Sequence, residues 1–234
     1  MITLLFSCPH ATCVIPGAHR EMFKGAEEIV QSPEGWDPGA LNLAQSLSMR
    51  FHVPLEYAGA TRLLVDPDAD GDGRWSRYAE GLGDASRERI FERHVAPYRD
   101  RLSQRAAGSL ARGSKVLHIS VHTLVSADGM VLLETPAGAV GAADIAGKWC
   151  SLMRHHDIQV RHEASAAPGA VHARLMNDHG RDAYLPLRLV VSQVFFLEGR
   201  PWKWDSLKRR VIDTLQTLLD EGPRVSGQED LSSH

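Results

Sequence analysis

The chain has 234 residues, 43% hydrophobic and 24% charged, which is ample apolar content for one substantial core. A formal net charge of −3 and a pI near 6.4 argue against a nucleic-acid or anionic-membrane partner, either of which calls for a broad basic face. The basic group Lys203, Lys208, Arg209 and Arg210 reads as the solvated side of a helix. Three cysteines make no disulfide framework and point to a reducing cytoplasm. The apolar start from Ile2 to Cys8 has no basic segment before it, which argues against a signal peptide. No run approaches the roughly 18–20 apolar residues of a membrane span.

In chain order, Ile2–Ser7 reads as a first interior strand. Pro38–Phe51 reads as a helix, with Ala40, Leu43, Ala44, Leu47 and Phe51 on one face. Short strands are expected over Val53–Tyr57 and Arg62–Val65. A charged helix follows over Ala85–Ala107, which Pro97 must kink or divide. Lys115–Val121 is the second core strand and Met130–Glu134 a third, more peripheral one. Asp144–His156 and Ala170–Asn177 are helical, and Tyr184–Leu197 is apolar and β-branched enough for a late central strand. Ser206–Leu219 forms an amphipathic helix burying Leu207, Val211, Leu215, Leu218 and Leu219. Strands alternating with helices imply one α/β domain over residues 1–221, its mostly parallel or mixed sheet covered by helices on both faces. From Gly222 onward the chain is polar and aperiodic, and a disordered tail is expected over 222–234.

His10 and His122 each follow a buried strand, where α/β folds gather their chemistry. Pro9 stops ladder pairing and aims His10 into a loop. A lone histidine there is more often a hydrogen-bonded strand end, but two could meet over one ion. Asp37, in Trp36-Asp37-Pro38-Gly39-Ala40, offers a third ligand. Its bland alternative is a helix cap, with Pro38 at the first helical position. His, His and carboxylate with an open position suit a hydrolytic zinc site. His118 lies four residues before His122, about 13 Å away at about 3.3 Å per strand residue, and cannot share its ion. Cys8, His10 and Cys13 lack the distal pair that would complete a structural zinc site. The run Asp66-Pro67-Asp68-Ala69-Asp70-Gly71-Asp72-Gly73 mimics a calcium loop but has no glutamate at position twelve, and reads as a solvated acidic turn.

The order Ser-Cys-Pro-His10, Trp-Asp37-Pro-Gly-Ala-Leu, Thr-Arg62-Leu-Leu-Val-Asp66 and Ser-Val-His122-Thr resembles the N-formylglutamate amidohydrolase family, relatives of the zinc carboxypeptidases. The likeness runs from Ile2 to about Leu219. It implies a phosphorylase/hydrolase-like α/β fold and hydrolysis of an N-formyl amide or a related small N-acyl amino-acid-like substrate. His10, Asp37 and His122 would hold one divalent metal, with zinc expected. Arg62 would grip a substrate carboxylate through its two-donor fork, and Asp66 matches the aspartate that ends that segment. The chain departs from the family where its Asp-Leu-Asn-Arg run becomes Asp66-Pro67-Asp68-Ala69. It departs again where Glu-Leu-Glu-Val-Asn-Gln becomes Arg188-Leu189-Val190-Val191-Ser192-Gln193. The general base then falls on Val190, a loss of about 10²–10⁴-fold in rate. Glu134, His118 or His179 could replace it. The rival expectation is a catalytically degenerate relative that binds a ligand or supports a partner subunit.

Overall fold

The structure is a computed structural model that describes residues 2–125, 130–197 and 200–221. Its strands are β1 (Ile2–Cys8), β2 (Leu55–Tyr57), β3 (Lys115–Leu124), β4 (Val131–Pro136), β5 (Val160–Ser165) and β6 (Tyr184–Ser192). Its α-helices are α1 (Glu27–Gln31), α2 (Ala40–Phe51), α3 (Asp84–His94), α4 (Ala96–Leu110), α5 (Val140–His155), α6 (Ala170–His179), α7 (Val194–Leu197) and α8 (Pro201–Asp220). One six-stranded sheet runs β2-β1-β3-β6-β4-β5. Its first four strands are parallel, and β4 meets β6 antiparallel while pairing parallel with β5. The expected α/β architecture with a mixed sheet is what forms.

Strand alternation divides the sheet into two unlike faces. Phe6, Leu117, Ile119, Val121, Leu187 and Leu189 point to one side and pack with residues of α2, α5 and α8 in the largest core cluster. Each such fully buried side chain contributes roughly 1.5–3 kcal/mol. The opposite face carries Ser7, His118, Ser120, His122 and Arg188, and its own apolar cluster joins Leu5, Val116 and Tyr184 to residues of α4 and α6. A sheet dry on one side and polar on the other directs its chemistry to the second face.

Several boundaries differ from the sequence expectations for local reasons. Arg62–Val65 is a turn: Thr61 and Arg62 bond to the backbone of Val14 and Gly35, and the amide of Leu64 returns to Thr61. β3 continues through Leu124, so His122 lies inside the strand, paired with Val190, and not past its end. β4 is an interior strand rather than a peripheral one, because β5, absent from the sequence reading, covers it. β6 stops at Ser192, and Val194–Leu197 coils into a helical turn. The long charged helix divides at Val95, and Pro97 enters the first turn of α4, where its missing amide costs no bond. The expected tail, 222–234, lies outside the described residues.

Candidate metal centre

His10, Asp37 and His122 come from three separate stretches and offer ligand atoms that all lie within 4.8 Å of one another. All three are buried. β1 ends at Cys8 and releases His10 into the loop above the sheet, while His122 rises from β3 beside it. The two rings meet edge to face with centroids 5.2 Å apart. Asp37 is held against them by its own amide, which donates to the His10 carbonyl at 2.9 Å.

Asp37 is not the cap of α2. The residue before that helix is Gly39, in left-handed conformation at φ 89°, and no side chain caps the helix. A Cβ on Gly39 would lie 3.1 Å from Trp204 and 3.2 Å from Phe196, so a bare backbone is needed there twice over. The turn frees the carboxylate, and Asp37 Oδ2 stands 3.0 Å from His122 Nδ1 and 3.4 Å from His10 Nδ1.

The outer nitrogen of each ring is also engaged. His10 Nε2 is 2.9 Å from Asp66 Oδ1, and His122 Nε2 is 3.0 Å from Ser120 Oγ. Ionised Asp37 accepts from Nδ1 of both rings, so neutral His122 carries its proton on Nδ1 and accepts at Nε2 from the Ser120 hydroxyl, while His10 is held at both nitrogens. Burial opposes a charge on His10, yet the hydrogen bonds it donates to Asp37 and Asp66 win and raise its pKa to about 9. For His122 burial dominates the pull of Asp37 and lowers the pKa to about 4. Burial likewise works against ionised Asp37, but both imidazoles hold it well below the ordinary carboxylate range. The resulting cluster is a buried carboxylate sandwiched by one cationic and one neutral ring. Two imidazoles and a carboxylate, each held by further hydrogen bonds, could hold a metal ion.

Arg62 closes the cluster from the side. Its Nε donates to the Glu34 carbonyl at 2.8 Å and Nη2 to the Pro33 carbonyl, while Nη1 lies 3.0 Å from Asp37 Oδ1 and 3.1 Å from His10 Nδ1. All three nitrogens are committed within the protein. Asp66 faces His10.

The 66–73 segment is not the solvated turn expected of it. Arg99 donates to the carbonyls of Pro67 and Ala69 and pairs with Asp70 at 2.8 Å, which pulls the loop inward. Asp68 is thereby carried to 4.0 Å from His122 Nε2, and Gly169 approaches it so closely that a Cβ there would collide with the carboxylate. Burial raises the Asp68 pKa to about 6 against the pull of Arg188 and His10. Local sequence pattern assigned neither Asp68 nor Arg99 to the site, since both roles depend on the loop folding back.

A cavity of about 290 Å³ opens over the cluster. Its wall includes Arg62, Thr123, Glu134, Arg188, Val190 and Gln193. Of the three residues considered as replacement bases, Glu134 lines it. His118 lies deeper, hydrogen-bonded to Tyr184 and, at 2.7 Å, to Ser7. His179 ends α6 and is not among the lining residues. Cys8 and Cys13 are free thiols outside the ligand group.

Two solved structures share this fold over nearly the whole chain. The crystal structure of gene product Atu2144 from Agrobacterium tumefaciens superposes with a TM-score of 0.74 at 21% identity, covering 92% of this chain and 90% of that one. The N-formylglutamate amidohydrolase from Ralstonia eutropha JMP134 superposes with a TM-score of 0.64 at 17% identity, covering 92% of each. No protein-family model matches the chain, and no curated protein matches it in sequence.

Proposed function

We propose that this chain is a metal-dependent amidohydrolase that removes an N-formyl or other small N-acyl group from an amino-acid-like substrate in the cytoplasm. The observation that carries the proposal is the convergence of His10, Asp37 and His122 at the floor of the cavity, on the polar face of the sheet. The fold shared with an N-formylglutamate amidohydrolase supports the reaction class.

His10, Asp37 and His122 would hold the metal, zinc by ligand type, and a bound zinc polarises a carbonyl and lowers the pKa of a water. Asp66 and Ser120 keep the two imidazoles in register. Arg62 holds Asp37 and His10 and is a positioning residue in this scheme. Val190 cannot move a proton. Glu134, diagonal to it across the β6–β4 ladder and facing the same cavity, is the carboxylate we assign to proton transfer between water and the leaving amine. Leu124, Val125 and Leu132 supply the apolar part of the wall that sheds water from the reacting amide.

A second reading is favoured by one contact. Arg62 Nη1 touches the same Asp37 and His10 that would ligate a metal, so an internal cation could satisfy them in a non-catalytic, ligand-binding or subunit-supporting relative. Metal content and turnover separate the two. Near-stoichiometric zinc with formate or amine release from a panel of N-acyl amino acids supports the hydrolase. Well-folded protein that takes up no zinc supports the relative, and zinc-loaded protein without turnover ends the hydrolase reading.

A further inference from the structure

Two arginines line the cavity, and they are not equivalent. Arg62 has spent its nitrogens on Glu34, Pro33, Asp37 and His10. Arg188 has not: Nη1 pairs with Glu134 Oε2 at 3.0 Å, and buried Nε finds no acceptor among the described residues. A buried N–H left unpaired is costly, so a site retains one where a ligand supplies the acceptor. Gln193 adds the complementary group. Thr123 donates its hydroxyl to the Pro38 carbonyl and must therefore accept from Gln193 Nε2 at 3.0 Å. That fixes the amide orientation and leaves Oε1, buried and without a partner among the described residues, as the acceptor of a side chain that lines the cavity.

We propose that Arg188 anchors the carboxylate of the ligand, while Gln193 Oε1 accepts its amide N–H. This rests on the reading of the cavity as the substrate site. Arg188 pairs in register with Ser120, two residues before His122 on β3, so it stands two strand positions, about 7 Å along the sheet, from His122. That span fits a carboxylate and a reacting amide carried on one amino-acid unit. The chain thus carries its cationic specificity group on β6, where Arg188 is braced by Glu134.

The test uses N-acetylglycine and its neutral amide as probes, titrated calorimetrically into chelator-treated protein so that no metal contributes. Wild type should bind the acid about 10- to 100-fold more tightly than the amide. Arg188→Gln should erase that preference, and Arg188→Lys should keep part of it. Glu134→Gln, by removing the competing carboxylate, should tighten the acid severalfold, an effect a purely structural Arg188 would not give. Gln193→Met should weaken both probes alike. Equal binding of the two probes to wild type, or an undiminished preference in Arg188→Gln, overturns the anchor. Should that variant not fold, an unchanged preference in both Arg188→Lys and Glu134→Gln overturns it instead. Zinc-loaded protein that shows this preference without turnover refutes the hydrolase alone, whereas turnover without the preference refutes the anchor alone.

Discussion

His122 Nδ1 and Asp37 Oδ2 lie 3.0 Å apart and both are buried, although 85 residues separate them in the chain. The contact joins the C-terminal part of the interior strand β3 to the loop before α2. Asp37 also receives Arg62 and stands beside a cationic His10. Asp37→Ala would leave those charges buried without a counterion. We expect it to lose about 3–5 kcal/mol of stability in chemical denaturation. His10→Ala and His122→Ala should instead stay folded and lose zinc in a metal assay. Zinc retained in both would remove these residues from the site.

The raised pKa of His10 makes metal uptake a proton-releasing event. At pH 8 the free protein still carries a proton on this ring, which leaves only as pH passes about 9. A metal taken by His10 must displace it, so apparent zinc affinity should climb up to tenfold per pH unit until about pH 9. Calorimetry in buffers of differing ionisation enthalpy would count the proton. A count near zero at pH 8 would contradict the assignment.

Stability of the metal-free protein should peak near pH 6.5, and the signs differ on the two sides. Burial depresses the pKa of His118 to about 3, and that of His122 to about 4 despite Asp37. Each stays neutral when folded but is protonated below 6.5 when unfolded. Their contribution is therefore whole above pH 6.5 and lost on the way down to pH 4 and 3, at about 1.4 kcal/mol per unit for each. His10 behaves oppositely: its contribution is complete below 6.5 and is lost as pH rises through about 9. Urea melts over a pH series would show the maximum, and a flat profile between pH 4 and 6.5 would refute it.

Val190 pairs with His122 on one side and Leu132 on the other, at the cavity wall. Val190→Glu puts a second carboxylate within reach of the reacting amide. Turnover of N-formyl or N-acyl amino acids should rise by about 10²-fold or more if the site lacks only a base there. Unchanged kcat in a folded, zinc-loaded variant would mean that Glu134 already serves, and Glu134→Gln should then abolish activity.

Gly39→Ala tests how Asp37 is delivered. The substitution forces an L-residue into φ 89° and pushes a methyl toward Trp204 and Phe196. A loss of about 1–3 kcal/mol is expected, with weakened zinc binding because the turn carries Asp37. Intact stability and metal affinity would show that the turn tolerates a side chain.

Much of this was legible before folding was considered. Periodicity located β1, α2, β3 and α8, because apolar spacing is a local record of which side of an element is buried. His10 and His122 stood out because each follows an apolar run, although β3 continues past His122 to Leu124. What periodicity could not register is where loops turn back. Asp68 looked like part of a solvated acidic turn until Arg99 gathered the Pro67 and Ala69 carbonyls. Asp37 looked like a helix cap until the left-handed Gly39 turned it toward the histidines.

The residue types available for chemistry, the alternation of strands with helices and the loss of a carboxylate at Val190 are properties of the sequence itself. The partnerships are not: that Arg62 is consumed while Arg188 keeps a donor unpaired among the described residues, and that β4 returns antiparallel to set Glu134 beside it, follow from long-range packing. Hydrophobic pattern encodes burial one element at a time, whereas the free valence of a polar group depends on every segment that folds against it.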